Sequence, residues 1–129
     1  MIQLGSLLRV SDKTCAVIVQ CIKVFGSLKI AYLGHLVLVS ILWINKKKFA
    51  RLKLRLQQKF LKGSLHRGLL IRSKMYYMRS NGIRIKFDEN TVVLVTRNVV
   101  PVSNRVYGPV LREFCERWPS LGCVSNCVI

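Results

Sequence analysis

The residues best suited to chemistry in this chain are its cations. The span from Lys46 to Lys86 holds 14 of the 22 Lys and Arg residues and no acid, while the flanks carry the other eight bases with all five Asp and Glu. A surface of one sign binds a polyanion by releasing its condensed counterions, with a log–log salt slope of about 0.7–0.9 per neutralised phosphate. RNA is the natural target for such a surface. Within the span, Tyr76 and Tyr77 stand among Arg72, Lys74 and Arg79, an arrangement that lets a ring stack on an unpaired base while cations hold its backbone. The alternation of a strand gives a plainer reading, in which one tyrosine packs inward and its neighbour covers surface.

Other chemistries find no constellation. Asp88 and Glu89 are adjacent, so a strand sends them to opposite faces, and no Ser, His and acid grouping follows from spacing. His35 and His66 read as structural, and no Gly-rich loop is placed to cradle a phosphate. Catalytic residues are therefore not expected. Cys115, Cys123 and Cys127 form only a partial zinc-ligand set, without two complete close-spaced pairs and with neither histidine nearby in sequence, so no metal or cofactor is expected. Five cysteines at irregular spacing do not make a disulfide framework, which points to a reducing interior.

A length of 129 residues supports one compact core, and the expectation is a single domain over residues 1–129. The net charge of +17 needs a polyanionic partner to relieve self-repulsion. A hydrophobic content of 51% excludes a disordered basic tail. The opening Met1-Ile2-Gln3-Leu4-Gly5 does not read as a cleavable leader. Ile30 to Ile44 is apolar and precedes Lys46-Lys47-Lys48, yet its 15 residues fall short of the ~20 that a spanning helix needs. Its Val, Ile, Tyr and Trp content suits a long buried strand.

Strands are expected at Leu7 to Val10 and Ala16 to Phe25, separated by a turn at Ser11-Asp12-Lys13-Thr14 and closed by Gly26-Ser27. From Asn45 to Arg67, nine of 23 residues are basic and none acidic. The alternation Arg51-Leu52-Lys53-Leu54-Arg55-Leu56 favours a strand ribbon, so an extended basic ribbon or loop is expected over 45–67, although Phe49, Leu52, Leu56 and Phe60 also fit a helical stripe. Gly68-Leu69-Leu70-Ile71 restarts a buried strand. Asn81-Gly82 marks a tight turn, Ile83 to Phe87 alternates, and Val92 to Val95 is a further buried strand. Gly108-Pro109 is expected to open a helix that ends before Pro119. The whole reads as a small β-barrel with a basic extension.

A resemblance rests on these same residues. Gly68-Leu69-Leu70-Ile71, nine residues, Asn81-Gly82, four residues, Phe87, two residues, Asn90, two residues and Val93-Leu94 match the signature of the universal large-subunit ribosomal protein fourteen family. Met1-Ile2-Gln3, Cys21-Ile22-Lys23-Val24 and Arg105-Val106-Tyr107-Gly108-Pro109-Val110 with Arg112-Glu113 are similar to the family's start, second strand and C-terminal motif. The resemblance implies a mainly β fold: a small closed five-stranded barrel with a projecting ribbon and short C-terminal helices. It implies a structural, non-enzymatic protein that binds large-subunit rRNA, touches neighbouring large-subunit proteins, and helps form a bridge to small-subunit rRNA. Arg72, Lys74 and Arg79 lie in the stretch resembling the family's basic loop, with Arg84 and Lys86 following, and these five are assigned to rRNA phosphates. Lys46, Lys47, Lys48, Arg51, Lys53, Arg55, Arg105 and Arg112 complete the expected rRNA-binding set.

The chain departs from the family pattern at Lys13-Thr14-Cys15 in the first turn, at Gly34-His35, in the long basic 45–64 segment and in the cysteine-rich tail. Its drift toward Lys, Ile, Leu and Cys suggests an organellar member, mitochondrial before plastid or bacterial. Gly82 is expected to supply a positive φ, and Gly68 to let another backbone or RNA approach a strand. The competing reading is a basic peripheral membrane-surface protein that inserts Phe49, Leu52 and Leu56 into anionic lipid. A third is a non-ribosomal RNA-binding barrel of the oligonucleotide type.

Overall fold

The computed structural model describes residues 1–26 and 29–129, so Ser27 of the expected turn lies outside the described residues. In chain order the elements begin with β1 (Leu7–Val10), β2 (Ala16–Val24) and β3 (Leu36–Ile44), followed by α1 (Lys46–Ala50) and α2 (Leu54–Lys59). Next come β4 (Leu65–Arg72), β5 (Tyr77–Met78), β6 (Arg84–Ile85) and β7 (Thr91–Val95). The chain ends with β8 (Val106–Val110), α3 (Arg112–Arg117), α4 (Pro119–Val124) and β9 (Ser125–Val128). Strands β1, β2, β3, β4 and β7 close a barrel in that order. Successive pairs are antiparallel except the closing one, where β7 runs parallel to β1 with Arg9 opposite Thr91 and Val10 opposite Val92. Closure leaves the barrel itself without an open edge, while β5–β6 and β8–β9 form separate two-stranded sheets.

The uninterrupted apolar runs of β4 and β7 have a geometric cause. Leu70, Val92 and Leu94 point into the barrel with Val19, Val37, Val39 and Ile41. Their neighbours Leu69, Ile71, Val93 and Val95 point the other way, onto Val106, Val110, Leu111, Phe114 and Leu121. Both faces of these strands are buried, so the sequence shows no polar alternation there. The first turn is pinned from within. Asp12 Oδ1 accepts hydrogen bonds from the Thr14 N–H and hydroxyl, and Oδ2 accepts the Leu94 N–H at 3.0 Å. Burial raises the Asp12 pKa, and these hydrogen bonds oppose the rise.

Four expectations are corrected. The 45–67 segment is not a ribbon: it holds α1 and α2, and its last three residues begin β4. The leucines of the alternation do not share a buried face, since Leu54 is 77% exposed, whereas Phe49, Leu52 and buried Phe60 pack on the barrel core at helical spacing. The paired ribbon is instead β5–β6, with Tyr77 opposite Ile85 and Met78 opposite Arg84. Gly108-Pro109 does not open a helix. It lies in β8, which pairs in parallel with β9, and the proline at a helix start is Pro119 of α4. Lastly, Gly68 faces neither RNA nor backbone, because a Cβ there would meet Val92, Val37 and Val39 at 3.4–3.7 Å inside the core.

The apolar stretch from Ile30 becomes a strand only from Leu36, after a turn in which the Tyr32 N–H donates to His35 Nδ1. Among the described residues no helix is long and apolar enough to cross a membrane.

Candidate nucleic-acid interface

The basic surface is built from three parts of the chain. The first is the pair α1 and α2. Asn45 Oδ1 caps α1 by accepting the N–H groups of Lys47 and Lys48 at 3.1 and 3.3 Å. Lys46, Lys47, Lys48, Arg51, Lys53 and Arg55 are all exposed. Lys59 and Lys62, which belong to the same acid-free segment but stand outside the expected binding set, are exposed as well.

The second part is the β5–β6 ribbon and its base. Gly82 takes φ +85° at the tip, where Asn81 Oδ1 accepts the Ile83 N–H. The base is fastened by Asn90 Oδ1, which accepts the Lys74 N–H, and by the Phe87 N–H, which donates to the Ser73 carbonyl. Lys74, Arg84 and Lys86 are exposed. Tyr77 packs on the outer core cluster, while Tyr76 is 66% exposed with the Lys86 ammonium 5.2 Å from its ring centroid. The inside–outside split and the stackable ring thus coexist in adjacent residues.

The third part is the C-terminal motif, with Arg105 and Arg112 exposed. Lys48 of α1 stands 5.9 Å from the Tyr107 ring centroid, which draws the helical segment toward this motif. A cleft of about 430 Å³ here is lined by Arg9, Lys48, Arg72, Glu89 and Tyr107 among others.

Two of the thirteen expected phosphate-binding residues are placed differently. Arg72 is buried at 8% exposure. Its Nε donates to Thr91 Oγ1 at 2.7 Å, and Nη2 donates to the Tyr107 carbonyl at 3.3 Å and lies 3.9 Å from Glu89. Burial lowers its pKa and Glu89 opposes the shift. Gly108 is required by this packing: it takes φ +81°, and a Cβ would lie 2.1 Å from Arg72 Nη1. The surface-phosphate role expected of Arg72 is therefore not offered by this geometry. Arg79 is half-buried, with Nε ion-paired to Glu113 Oε1 at 2.7 Å and Nη2 donating to the Ile129 carbonyl. The signals in the sequence that point to these roles are Glu89 and Glu113, two of only five acids in the chain.

The remaining candidates are structural in their contacts. His66 Nε2 lies 3.0 Å from Ser64 Oγ and 3.1 Å from the Lys59 carbonyl, and its ring stacks on Phe60. All five cysteines are free, and no group of three metal-ligating side chains occurs among the described residues. The lipid-insertion reading needs Phe49, Leu52 and Leu56 turned outward together, but Phe49 and Leu52 pack against the barrel core.

A barrel with buried strands, a short basic ribbon and a C-terminal β–α–β closure agrees with a comparison that spans the whole chain. Residues 1–129 match the family model described as Ribosomal protein L14p/L23e. The chain therefore belongs to the ribosomal protein L14p/L23e family and is a structural component of the large ribosomal subunit.

Proposed function

We propose that this protein, acting as one domain over residues 1–129, binds large-subunit rRNA, contacts neighbouring large-subunit proteins and helps form the bridge to small-subunit rRNA. The observation that carries the rRNA assignment is the division of its charges. Lys46, Lys47, Lys48, Arg51, Lys53, Arg55, Lys74, Arg84, Lys86, Arg105 and Arg112 are exposed and have no ion-pair partner among the described residues. Asp12, Glu89 and Glu113 are meanwhile engaged within the protein. The exposed charge left without a partner is thus mostly positive, and phosphate is the ligand that it suits. Arg72 and Arg79 support the binding surface from beneath instead of contacting phosphate. The compositional drift toward Lys, Ile, Leu and Cys favours a mitochondrial ribosome over a plastid or bacterial one.

The test uses large subunits purified from mitochondria and washed at increasing salt. The wild-type chain should stay bound until high salt. Replacing Lys46, Lys47, Lys48, Arg51, Lys53 and Arg55 together by Ala should lower the log–log salt slope of release by about 0.7–0.9 for each phosphate left without its cation. An unchanged slope overturns the phosphate assignment. Finding the chain only in plastid or cytoplasmic subunits overturns the compartment and leaves the rRNA reading standing.

A further inference from the structure

An apolar groove of about 770 Å³ opens where the barrel meets the helical segment. It is lined by Trp43 and Ile44 from the end of β3, Phe49 of α1, Leu61 beyond α2, and the stems of Lys46 and Lys62. Ile44 and Phe49 pack against the barrel core and form the floor. Trp43 is 65% exposed and Leu61 50%, so the walls stand open. The volume falls in the range of ~300–1,000 Å³ typical of built binding sites. Large apolar side chains gathered in one exposed concavity mark an interaction surface.

We propose that this groove docks a segment of another protein of the large subunit, with apolar anchors such as Leu or Phe flanked by Asp or Glu. Two observations select that occupant. The two lysines that rim the groove have no ion pair among the described residues, and the chain offers no acid between Lys46 and Lys86. The occupant must therefore bring its own negative charge to meet them. The lining also argues against RNA as the occupant. Trp43 offers a ring on which a base can stack, but Ile44 and Leu61 present branched aliphatic groups that neither stack on a base nor exchange hydrogen bonds with its edge, whereas apolar side chains of a peptide cover all three at once. Phosphate satisfies the lysines but leaves the groove wet. Lys46 is the one member of the expected rRNA-binding set that lines the groove; Lys47, Lys48, Arg51, Lys53 and Arg55 are exposed outside its lining and remain available to rRNA, so one segment serves two partners. This inference rests on the proposed contact with neighbouring large-subunit proteins and is separate from the rRNA reading, which the salt slope of release tests.

The test places the photoreactive amino acid p-benzoylphenylalanine at position 43 in place of Trp43, in the full chain assembled into large subunits. A second version places it at position 62 in place of Lys62, in case the first fails to assemble. Irradiation should give a cross-link to a different protein, within a segment whose apolar residue is flanked by acids. Adding Leu61→Glu, which puts a like charge against that segment and removes an apolar wall, should cut the yield about tenfold. Cross-linking to rRNA, to a second copy of this chain or to a segment without acids would overturn the proposal. So would the absence of a cross-link from both positions, or a yield indifferent to Leu61→Glu.

Discussion

The acid-free span has two parts that differ in what their cations do. From Lys46 to Lys62 every base is exposed and none has an ion-pair partner among the described residues. From Arg72 to Lys86 the strand end and ribbon receive carboxylates from elsewhere: Glu89 approaches Arg72, and Glu113 of α3 pairs with Arg79. Two of that part's five cations are drawn into the fold. The contrast teaches that a count of charges along a sequence does not give the charge available to a partner. Availability is set by whether the few acids of the chain reach a given base in three dimensions.

The helical part should be the easier one to detach, because so little of it is held. Helices of five and six residues are marginal by themselves, and α1 opens on Lys46 with no acid in its first turn to complement the dipole. Neither helix contains a buried residue. Phe49 and Leu52 pack on the barrel core while only partly buried, so the main attachment is Phe60, which is 3% exposed in the core cluster just after α2. Phe60→Ala should cost about 3–5 kcal/mol, the usual loss for truncating a buried aromatic, and proteolysis should open the 46–62 segment first. Arg55→Ala in the same segment should stay within about 0.5 kcal/mol of wild type. Urea unfolding of both variants checks the pair, and a loss below about 1 kcal/mol for Phe60→Ala would show that the segment is held elsewhere.

In the second part the comparison can be broken between two arginines, one at the base of the ribbon and one within it. Arg72→Ala should destabilise by about 2–3 kcal/mol, since it removes charged hydrogen bonds worth about 1.5–3 kcal/mol each and orphans the fully buried Thr91 hydroxyl. Arg84→Ala, at an exposed position, should leave stability almost unchanged. Arg72→Lys should recover little, because one ammonium cannot reach Thr91 and the Tyr107 carbonyl in the geometry of a guanidinium. Equal unfolding midpoints for Arg72→Ala and Arg84→Ala would erase the distinction between engaged and free cations.

The same contrast explains what is legible in the sequence. Strands β1, β2, β4 and β7 are readable because turn chemistry at Asp12 and at Asp88 to Asn90 bounds them and their apolar runs are long. The helical segment is not, because Arg51 to Leu56 satisfies a period of two while Phe49, Leu52, Leu56 and Phe60 satisfy a helical period. Only packing chooses between them, and Phe60 in the core decides it. Gly108-Pro109 resembles a helix start because proline suits one. Its real constraint, the Arg72 guanidinium lying against Gly108, comes from a residue distant in sequence. Arg72 reads as a phosphate ligand for the same reason: Glu89, Thr91 and Tyr107 surround it only after the barrel closes. The exposed lysines, which need no partner within the chain, are the part of the candidate site that residue type alone places at the surface.

The smallest expected effect lies at the joint between the helical segment and the barrel, where His66 of β4 stacks on Phe60 with ring centroids 5.2 Å apart. The Lys59 carbonyl can only accept, so Nε2 carries the proton that it shares with that oxygen and Ser64 Oγ. Burial pushes the His66 pKa below its ordinary 6.5; the Lys59 carbonyl opposes the shift and the Lys59 charge adds to it. The unfolded chain therefore binds a proton more readily than the folded one. The stability this histidine contributes is complete above pH 6.5 and declines as pH falls through that value toward the lowered folded pKa. Partial exposure keeps the effect modest. His66→Phe preserves a ring against Phe60 but removes the titration, so urea midpoints measured from about pH 7.5 down to about 5 should fall less steeply than in the wild type. An identical pH dependence in the two proteins would mean that the joint between free and engaged cations carries no proton-linked strain.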